Sequence, residues 1–282
     1  MKGIYTACPI REQIRIIEFY SFFVEQYPFG FCFSGESHAF WECVYVLEGL
    51  IQVGADERVY DMAAGELIFH KPLEYHKFSV VSSGGAKVLV FSFSAEGPYL
   101  QLLKNKVYLL SDEQRRIIAD LLQYCQSKQD PHNSAKAFED LLLPIHSHDE
   151  YGQILTSYLY RLFLAFAEKG EVSCVSSKPE AVLFQRAVNY LRSNVQRQPT
   201  LEETARFCHT SQASLRRAFD KCAGAGVHRY LLQMKIRMAT EMLQEETVSC
   251  VAAKLGFSSA GYFSKVYKRE TGRLPSRVSP KR

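Results

Sequence analysis

The sequence predicts an α+β protein of two domains, a strand-rich N-terminal domain with helices and an all-helical C-terminal domain. Short segments rich in Val, Phe and Tyr, separated by turn residues, occupy residues 28–95. Apolar residues recur at helical spacing from about 111 onward. Residues 181–282 hold 18 Lys and Arg against 7 Asp and Glu, whereas residues 1–180 hold 16 against 23. We therefore expect domains at 1–170 and 181–282, with a linker of small and polar residues at 171–180.

The composition excludes several classes of protein. The eight cysteines are scattered without a CxxC pair, which favours reduced thiols over a disulfide scaffold or a zinc finger. Charged residues such as Arg11 and Glu12 stand where a signal peptide needs an apolar run. Charge also interrupts the most apolar stretches, so none is long enough to span a bilayer. We expect a cytoplasmic protein without a membrane partner.

Five segments of the N-terminal half have the composition of short antiparallel strands. Several of them are apolar on both faces, which suits a small closed or folded-over sheet with a filled interior. The five segments are residues 40–49, 50–60, 65–72, 76–83 and 86–94.

Helices follow these strands. Ser111 is the expected N-cap of the first helix, and Asp112 and Glu113 suit its positive end. A second helix, within 150–169, carries an apolar stripe. The polar run before it invites a metal site, but we favour a polar helix start; this run comprises His146, His148, Asp149 and Glu150.

The basic region contains one structural unit twice, at an offset of about 48 residues. In each unit a short helix and a tight turn precede a serine-capped helix, which is the geometry of a helix-turn-helix. Leu215 and Phe219, and in the second unit Phe263 and Tyr267, are expected to face the core. The residues expected to face outward are Gln212, Ala213, Arg216 and Arg217 in the first unit, and Ser259, Ala260, Gly261, Ser264, Lys265, Lys268 and Arg269 in the second.

A long helix between the units, within 228–246, has its own apolar face. It would hold the two capped helices rigidly and roughly parallel. If they lie about one duplex turn apart, ~34 Å, they enter successive major grooves of double-stranded DNA.

These residues resemble the AraC/XylS family of bacterial transcription regulators over about a hundred residues. The connecting helix carries the family's spaced residues as Tyr230, Leu231, Arg237, Ala239 and Leu243. The motifs V-A-x3-G-F, Y-F-S-K-x-Y-K and G-x-x-P follow. The sequence departs from the family at two places, where Gly226-Val227 replaces a usual proline and Val278 replaces a usual aromatic residue.

The resemblance implies that each capped helix reads bases. Arg216 or Arg217 is the best candidate for a bidentate contact to guanine, with phosphate contact as the alternative. Ala260 and Gly261 have no side-chain hydrogen bond to offer, so the second unit is expected to position more than it specifies. The implied base-reading positions are Ala213, Arg216 and Arg217, then Ala260, Gly261, Ser264 and Lys265.

The N-terminal half resembles the cupin-like sensor domain of such regulators over about sixty residues. Gly65, Pro72 and His76 carry the second half of that resemblance. It implies a small β-barrel whose interior binds an effector, a sugar or another small metabolite. The candidate pocket residues are His38, Trp41, Glu42, Tyr45, His76, Phe78 and Phe93.

A metal interpretation of the barrel rests on Glu36, His38, Glu42 and His76. Carboxylates and imidazoles suit several divalent metals. One of the histidines usual in metal-binding cupins is missing here, and the regulators generally lack a metal. We therefore expect no metal and no cofactor.

The resemblance implies an effector-controlled regulator, with RNA polymerase as a further partner and the helices near 150–169 as a homodimer contact. The alternative for those helices is packing on the barrel. The rival functions are a metal-dependent cupin enzyme with a nucleic-acid-binding appendage and a DNA repair methyl acceptor. The latter needs an activated cysteine, and Cys208, Cys222 and Cys250 have no activating neighbours in sequence. The sequence does not separate activation from repression.

Overall fold

The structure is a computed structural model that describes residues 8–56, 58–129, 138–168 and 178–278. Within these residues, nine strands form two antiparallel sheets, one of six strands in the order β8-β5-β2-β7-β1-β9 and one of three in the order β4-β3-β6. The strands are β1 (Arg15–Tyr27), β2 (Trp41–Glu48), β3 (Leu50–Ala55), β4 (Arg58–Ala63), β5 (Glu66–His70), β6 (His76–Val80), β7 (Ala86–Glu96), β8 (Val107–Leu109) and β9 (Phe138–Asp140).

Eight α-helices complete the described part of the chain. Two belong to the N-terminal domain, α1 (Asp112–Ser127) and α2 (Tyr151–Leu164). The C-terminal domain is all-helical, as predicted, and its first helix begins at Pro179. Its helices are α3 (Pro179–Ser193), α4 (Leu201–Phe207), α5 (Gln212–Ala223), α6 (Val227–Met242), α7 (Val248–Lys254) and α8 (Ala260–Thr271). Most of the predicted linker, residues 171–177, lies outside the described residues.

The larger sheet is buried on both faces. Trp41, Cys43 and Tyr45 of β2 belong to a core that includes residues of α1 and α2. Val44 and Val46, which alternate with them, belong to a second core that includes residues of the smaller sheet. Each face of the larger sheet is covered by its own layer, and for this reason its strands carry apolar residues on both faces.

The apolar stripe of α2 packs within its own domain. Leu155, Leu159, Leu162 and Phe163 are fully buried in the core beneath the larger sheet. The sequence left two interpretations of this stripe, a homodimer contact or packing on the barrel. Packing on the barrel accounts for these four side chains. Among the described residues, the ligand atoms of the polar run that precedes α2 do not converge into a metal-binding group.

Helix capping in the structure follows the predicted serines. Ser111 caps α1 through a capping box with Gln114. The Ser211 and Ser259 hydroxyls each accept a hydrogen bond from an amide three residues on, at 3.1 Å in both cases. Gly224 and Gly272 end α5 and α8 in the left-handed conformation, which glycine adopts without a steric penalty. Both helix-turn-helix units therefore begin and end their second helix with the same chemistry.

The smaller sheet docks on the helical domain. Lys77 of β6 donates a hydrogen bond to the Asp220 carbonyl of α5 at 3.2 Å. The Arg237 guanidinium of α6 lies 3.0 Å from the Asp56 carboxylate after β3. Val59 and Tyr75 of the barrel are buried in the core of the C-terminal helices. The two domains thus share apolar and charged contacts.

The described residues include no helix with the length and apolarity needed to cross a membrane.

Gly54 of β3 is a point where the backbones of the two domains approach each other closely. A Cβ at this position would lie 2.7 Å from the Cys222 carbonyl oxygen of α5. Gly54→Ala is therefore expected to weaken docking by roughly 1–3 kcal/mol while each domain stays folded. Small-angle scattering of the full chain should show a larger radius of gyration, and hydrogen exchange should quicken in β3 and α5.

Gly84→Ala is the matched control, because a Cβ there meets nothing within 4 Å. Equal scattering curves for the wild type and both variants would contradict this view of the domain contact.

Candidate DNA interface and effector cavity

The exposed face of α5 carries the residues that the first unit was predicted to present. Leu215 and Phe219 are fully buried, and the aromatic ring of Phe219 packs edge-on against Phe184 and Tyr230. The Arg217 guanidinium donates a hydrogen bond to the Ser214 hydroxyl at 3.3 Å. The four residues predicted to face outward are all exposed: Gln212, Ala213, Arg216 and Arg217.

The corresponding face of α8 is less uniformly exposed. Phe263 and Tyr267 are buried, and the Tyr267 hydroxyl lies 2.9 Å from that of Thr240 in α6. Ser259, Gly261, Lys265, Lys268 and Arg269 are exposed, whereas Ala260 and Ser264 are half-buried. The Ser264 hydroxyl bonds back to the Ala260 carbonyl at 2.8 Å, so this hydroxyl is already engaged within the helix.

The positive charge of α8 is partly balanced inside the domain. The Arg269 guanidinium lies 2.9 Å from the Glu270 carboxylate, which Arg229 also contacts at 2.9 Å. Lys265 and Lys268 are exposed on the same helix. These two lysines are therefore the cations of α8 best placed for a polyanion.

A cavity of about 310 Å³ lies in the N-terminal barrel, lined from β1, β2, β3, β5, β6 and β7 and from the segment before β2. One part of its lining is aromatic and includes Tyr20, Phe23, Tyr27, Phe33, Phe40 and Phe78. The other part is polar and includes Glu36, His38, Glu42, His76, Lys77 and Ser92. An apolar surface with a few convergent polar groups is typical of a small-molecule site.

Four of the predicted pocket residues line this cavity, namely His38, Glu42, His76 and Phe78. The other three do not. Trp41, Tyr45 and Phe93 point to the opposite face of the larger sheet, into the core with α1 and α2. Strand alternation separates them from Glu42 and from Ser92, whose hydroxyl donates to the Glu42 carboxylate at 3.0 Å.

Sequence reasoning missed the wall that β1 contributes, with Tyr20, Ser21, Phe23 and Tyr27. Two register shifts interrupt the pairing of β1 with β7. Each shift displaces the alternation of inward and outward side chains, so the strand lacks a regular period. The aromatic residues in this stretch were the available signal.

The polar part of the cavity is a compact group of imidazoles and carboxylates. Burial favours the neutral form of the Glu42 carboxyl, but the facing imidazoles of His38 and His76 outweigh it and hold its pKa below the usual range. Burial also opposes protonation of His76, but the Glu42 carboxylate raises its pKa above the usual value. Glu42 is thus held in its ionised form, facing the imidazoles of His38 and His76.

A second buried pair, His70 and Glu74, adjoins this group. The His70 ring stacks on that of His76 with centroids 4.3 Å apart, and its Nδ1 lies 3.0 Å from the Glu74 carboxylate. Burial and the proximity of His76 lower the pKa of His70. Burial opposes ionisation of Glu74, but His70 and Lys71 outweigh it and lower its pKa to about 2.

The buried charges continue to the domain contact. The Lys71 ammonium lies 2.8 Å from Glu74 and 3.1 Å from Asp56. Asp56 is also the partner of Arg237 in α6. Contacting side chains therefore connect the polar part of the cavity with the helical domain.

Comparison with known proteins agrees with this arrangement. Residues 204–280 match the family described as a helix-turn-helix domain. The chain is 25% identical over 274 residues to the HTH-type transcriptional activator RhaR of Enterobacter sp. (strain 638), covering 89% of this chain and 88% of that protein. It is 28% identical over 101 residues to the bifunctional transcriptional activator/DNA repair enzyme AdaA of Bacillus subtilis (strain 168), covering 35% and 48%.

Among solved structures, ToxT from Vibrio cholerae O395 aligns over 92% of this chain and 96% of its own, at 12% identity. The TM-score of this alignment is 0.38. The family match covers both predicted recognition helices from Gln212 onward, and the relation to RhaR extends through the barrel. Residues 204–280 thus match a helix-turn-helix domain, and the chain as a whole is similar to HTH-type transcriptional activators.

Proposed function

We propose that this chain reads two neighbouring major-groove segments of one duplex with α5 and α8, under the control of a small molecule bound in the barrel. The observation that carries this proposal is the exposure of Arg216 and Arg217 on a helix whose opposite face is fully buried. A helix anchored in this way can enter a major groove without losing its core.

The two recognition helices differ in what they offer to DNA. Arg216 and Arg217 supply guanidinium groups able to make bidentate contacts to guanine. Ala260 and Gly261 offer no side-chain hydrogen bond, and the Ser264 hydroxyl is engaged by its own helix. Lys265 and Lys268 suit phosphates. We therefore assign sequence reading mainly to α5 and positioning mainly to α8.

The effector would occupy the barrel cavity. Aromatic rings along one part and carboxylate, imidazole and hydroxyl groups along the other suit a sugar or another small hydroxylated metabolite. This molecule changes DNA affinity only as far as it binds one arrangement of the two domains better than another. The contacts from His76 through His70, Glu74, Lys71 and Asp56 to Arg237 supply a physical connection between the two sites.

The assignment as a DNA-binding regulator also suggests which proteins the chain contacts. We infer activation, as the names of the curated relatives state for those proteins, and RNA polymerase as the partner that activation requires. We infer a homodimer in the cytoplasm, and the exposed side of α2 around Leu164 is the candidate contact, because the buried stripe is occupied.

We infer that the chain is not an enzyme. The repair alternative, suggested by AdaA, needs a thiol with thiolate character. Burial raises the pKa of Cys222 to about 11 and also raises that of Cys208, and a hydrogen bond to Glu246 raises that of Cys250. These three cysteines therefore lack the activation that methyl transfer requires.

Removing the Arg216 guanidinium should reduce specificity. Sites selected from random duplexes with the full wild-type chain provide the specific DNA. Arg216→Ala is expected to weaken binding to these sites by roughly 1–3 kcal/mol and to relax discrimination at one base pair. Lys268→Ala is expected to weaken specific and random duplexes alike and to reduce the salt dependence of binding.

Arg206→Ala is the control, since this exposed arginine of α4 is paired with Glu202 at 2.8 Å and lies outside the predicted reading faces. Equal losses on specific and random duplexes for Arg216→Ala would remove the base-reading role. Failure to select any sequence would contradict the proposal as a whole.

Filling the cavity should abolish the response to effector. Val44 lines the cavity from β2, so Val44→Phe is expected to occupy part of its volume. A screen of sugars and hydroxylated acids by thermal shift should give a ligand that raises the unfolding temperature of the wild type. The same ligand should leave the unfolding temperature of Val44→Phe unchanged.

Val182→Phe, at an exposed position of α3, is the control and should respond as the wild type does. A ligand that stabilises Val44→Phe and the wild type equally would place its site elsewhere.

A further inference from the structure

Four ligand atoms converge at the polar part of the cavity. The candidate ligand atoms of Glu36, His38, Glu42 and His76 all lie within 4.8 Å of one another. His76 Nε2 lies 3.1 Å from Oε1 of Glu42, and His38 Nε2 lies 3.4 Å from Oε2 of the same carboxylate. The Glu36 carboxylate lies 3.9 Å from the first nitrogen and 4.0 Å from the second. Bonds of about 2.0–2.2 Å to one metal ion place neighbouring ligands roughly 3–4 Å apart.

The backbone fixes which imidazole nitrogen faces this group. His38 Nδ1 lies 3.0 Å from the Phe40 carbonyl, and His76 Nδ1 lies 3.1 Å from the Glu74 carbonyl. A carbonyl only accepts hydrogen bonds, so each Nδ1 carries the proton. In the neutral imidazole, each Nε2 then turns its lone pair towards the carboxylates. This is the arrangement of metal-binding histidines, whose other nitrogen donates to a backbone carbonyl.

The two Nε2 atoms lack a hydrogen-bond partner among the described residues. The His76 side chain is 3% exposed. A lone pair that faces a carboxylate inside a protein is unfavourable without a cation between them. The group therefore needs either added protons or a metal ion.

We propose that Glu36, His38, Glu42 and His76 bind one divalent first-row transition metal ion in the barrel. Two imidazoles and two carboxylates suit zinc, iron, manganese, cobalt and nickel. The two carboxylates balance the charge of a dication, which a third histidine in place of Glu36 would not do. The sequence-based expectation of no metal rested on this missing histidine and on the general lack of a metal in such regulators. The structure brings the Glu36 carboxylate within 4.8 Å of the other three ligand atoms.

The cavity side of the site stays open to a further ligand. All four residues line the cavity, and Glu36 is half-exposed. An ion with four protein ligands can accept an additional oxygen ligand from a molecule in the cavity. The metal would thereby select effectors that carry a hydroxyl or carboxylate group.

The site adjoins the domain contact. Glu36 and His76 pair through two backbone hydrogen bonds of 3.0 Å. Their neighbours touch the helical domain, since Lys77 bonds to α5 and a Cβ at Gly224 would lie 2.8 Å from the Ser34 carbonyl. Drawing Glu36 and His76 onto one ion therefore adjusts the docking surface for α5. The metal site stands on its own geometry, whereas this regulatory consequence rests on the proposed function.

Metal content of the full chain tests the site. Chelator-treated protein is incubated in turn with Zn²⁺, Mn²⁺, Co²⁺, Ni²⁺ and, without oxygen, Fe²⁺, then desalted and analysed for metal. The wild type is expected to retain about one ion per chain with at least one of these metals. His76→Gln and Glu36→Gln are expected to lose at least ninety per cent of it, and the visible absorption of bound Co²⁺ should vanish with it.

His146→Gln, at an exposed histidine outside the group, is the matched control and should bind as the wild type does. Glu36 is half-exposed, so Glu36→Gln is expected to fold, which circular dichroism verifies. The proposal is overturned if the desalted wild type holds less than a tenth of an ion per chain with every metal. It is equally overturned if Glu36→Gln and His76→Gln retain as much metal as His146→Gln.

DNA binding separates this inference from the proposed function. Adding the retained metal should change the affinity of the wild type for its selected sites at least fivefold and leave that of Glu36→Gln unchanged. Specific DNA binding by a chain that takes up no metal overturns the metal site alone. Stoichiometric metal without any specific DNA binding supports the site and contradicts the proposed function. A metal-loaded chain with unchanged affinity overturns the regulatory consequence.

Discussion

The buried carboxylate of Asp56 holds the two domains to one arrangement. It is 7% exposed and faces Arg237 of the helical domain, Lys71 and the Tyr75 amide of the barrel. A carboxylate at such a position is tolerable only while its partners stay in place, because an unpaired buried charge costs several kcal/mol. Separation of the domains removes Arg237 from this set. The docked arrangement thus depends on a charge that neither domain satisfies as fully alone, and the cavity and the recognition helices are built on either side of it.

The helical domain could be predicted from sequence almost residue by residue, because its signals are local. A serine cap, a core pair four residues apart and a left-handed glycine all act within one turn of helix. Ser211, Leu215 and Gly224 illustrate the three. The strands were harder, since their pairing is set by residues far away in the chain. The segment 50–60 is a hairpin of two strands rather than one, β8 and β9 have only three residues each, and the bulges of β1 conceal its period.

The two candidate sites show the same contrast between local and long-range signals. Exposure of the α5 positions followed from helical spacing alone, whereas on α8 Ala260 and Ser264 proved half-buried. In the barrel, Trp41, Tyr45 and Phe93 were assigned to the pocket but lie on the other face of the sheet. Both faces of the larger sheet are apolar, so composition does not show which face lines the cavity. The group around Glu42 was recognisable as residue types, but only the structure places Glu36 of the preceding segment beside His76.

The place where α5 meets the barrel has a mechanical consequence. The carbonyls of Asp220 and Cys222, which touch the barrel, belong to its last turn. Its opposite end lies about 18 Å away, since the helix has 12 residues at ~1.5 Å each. If α5 tilts as a rigid body about the end that contacts the barrel, a tilt of roughly 10° moves its far end by about 3 Å. That displacement is close to the ~3.4 Å rise of a single base pair. A small rotation of the helical domain on the barrel thus suffices to shift the far end of α5 by about one step along the duplex.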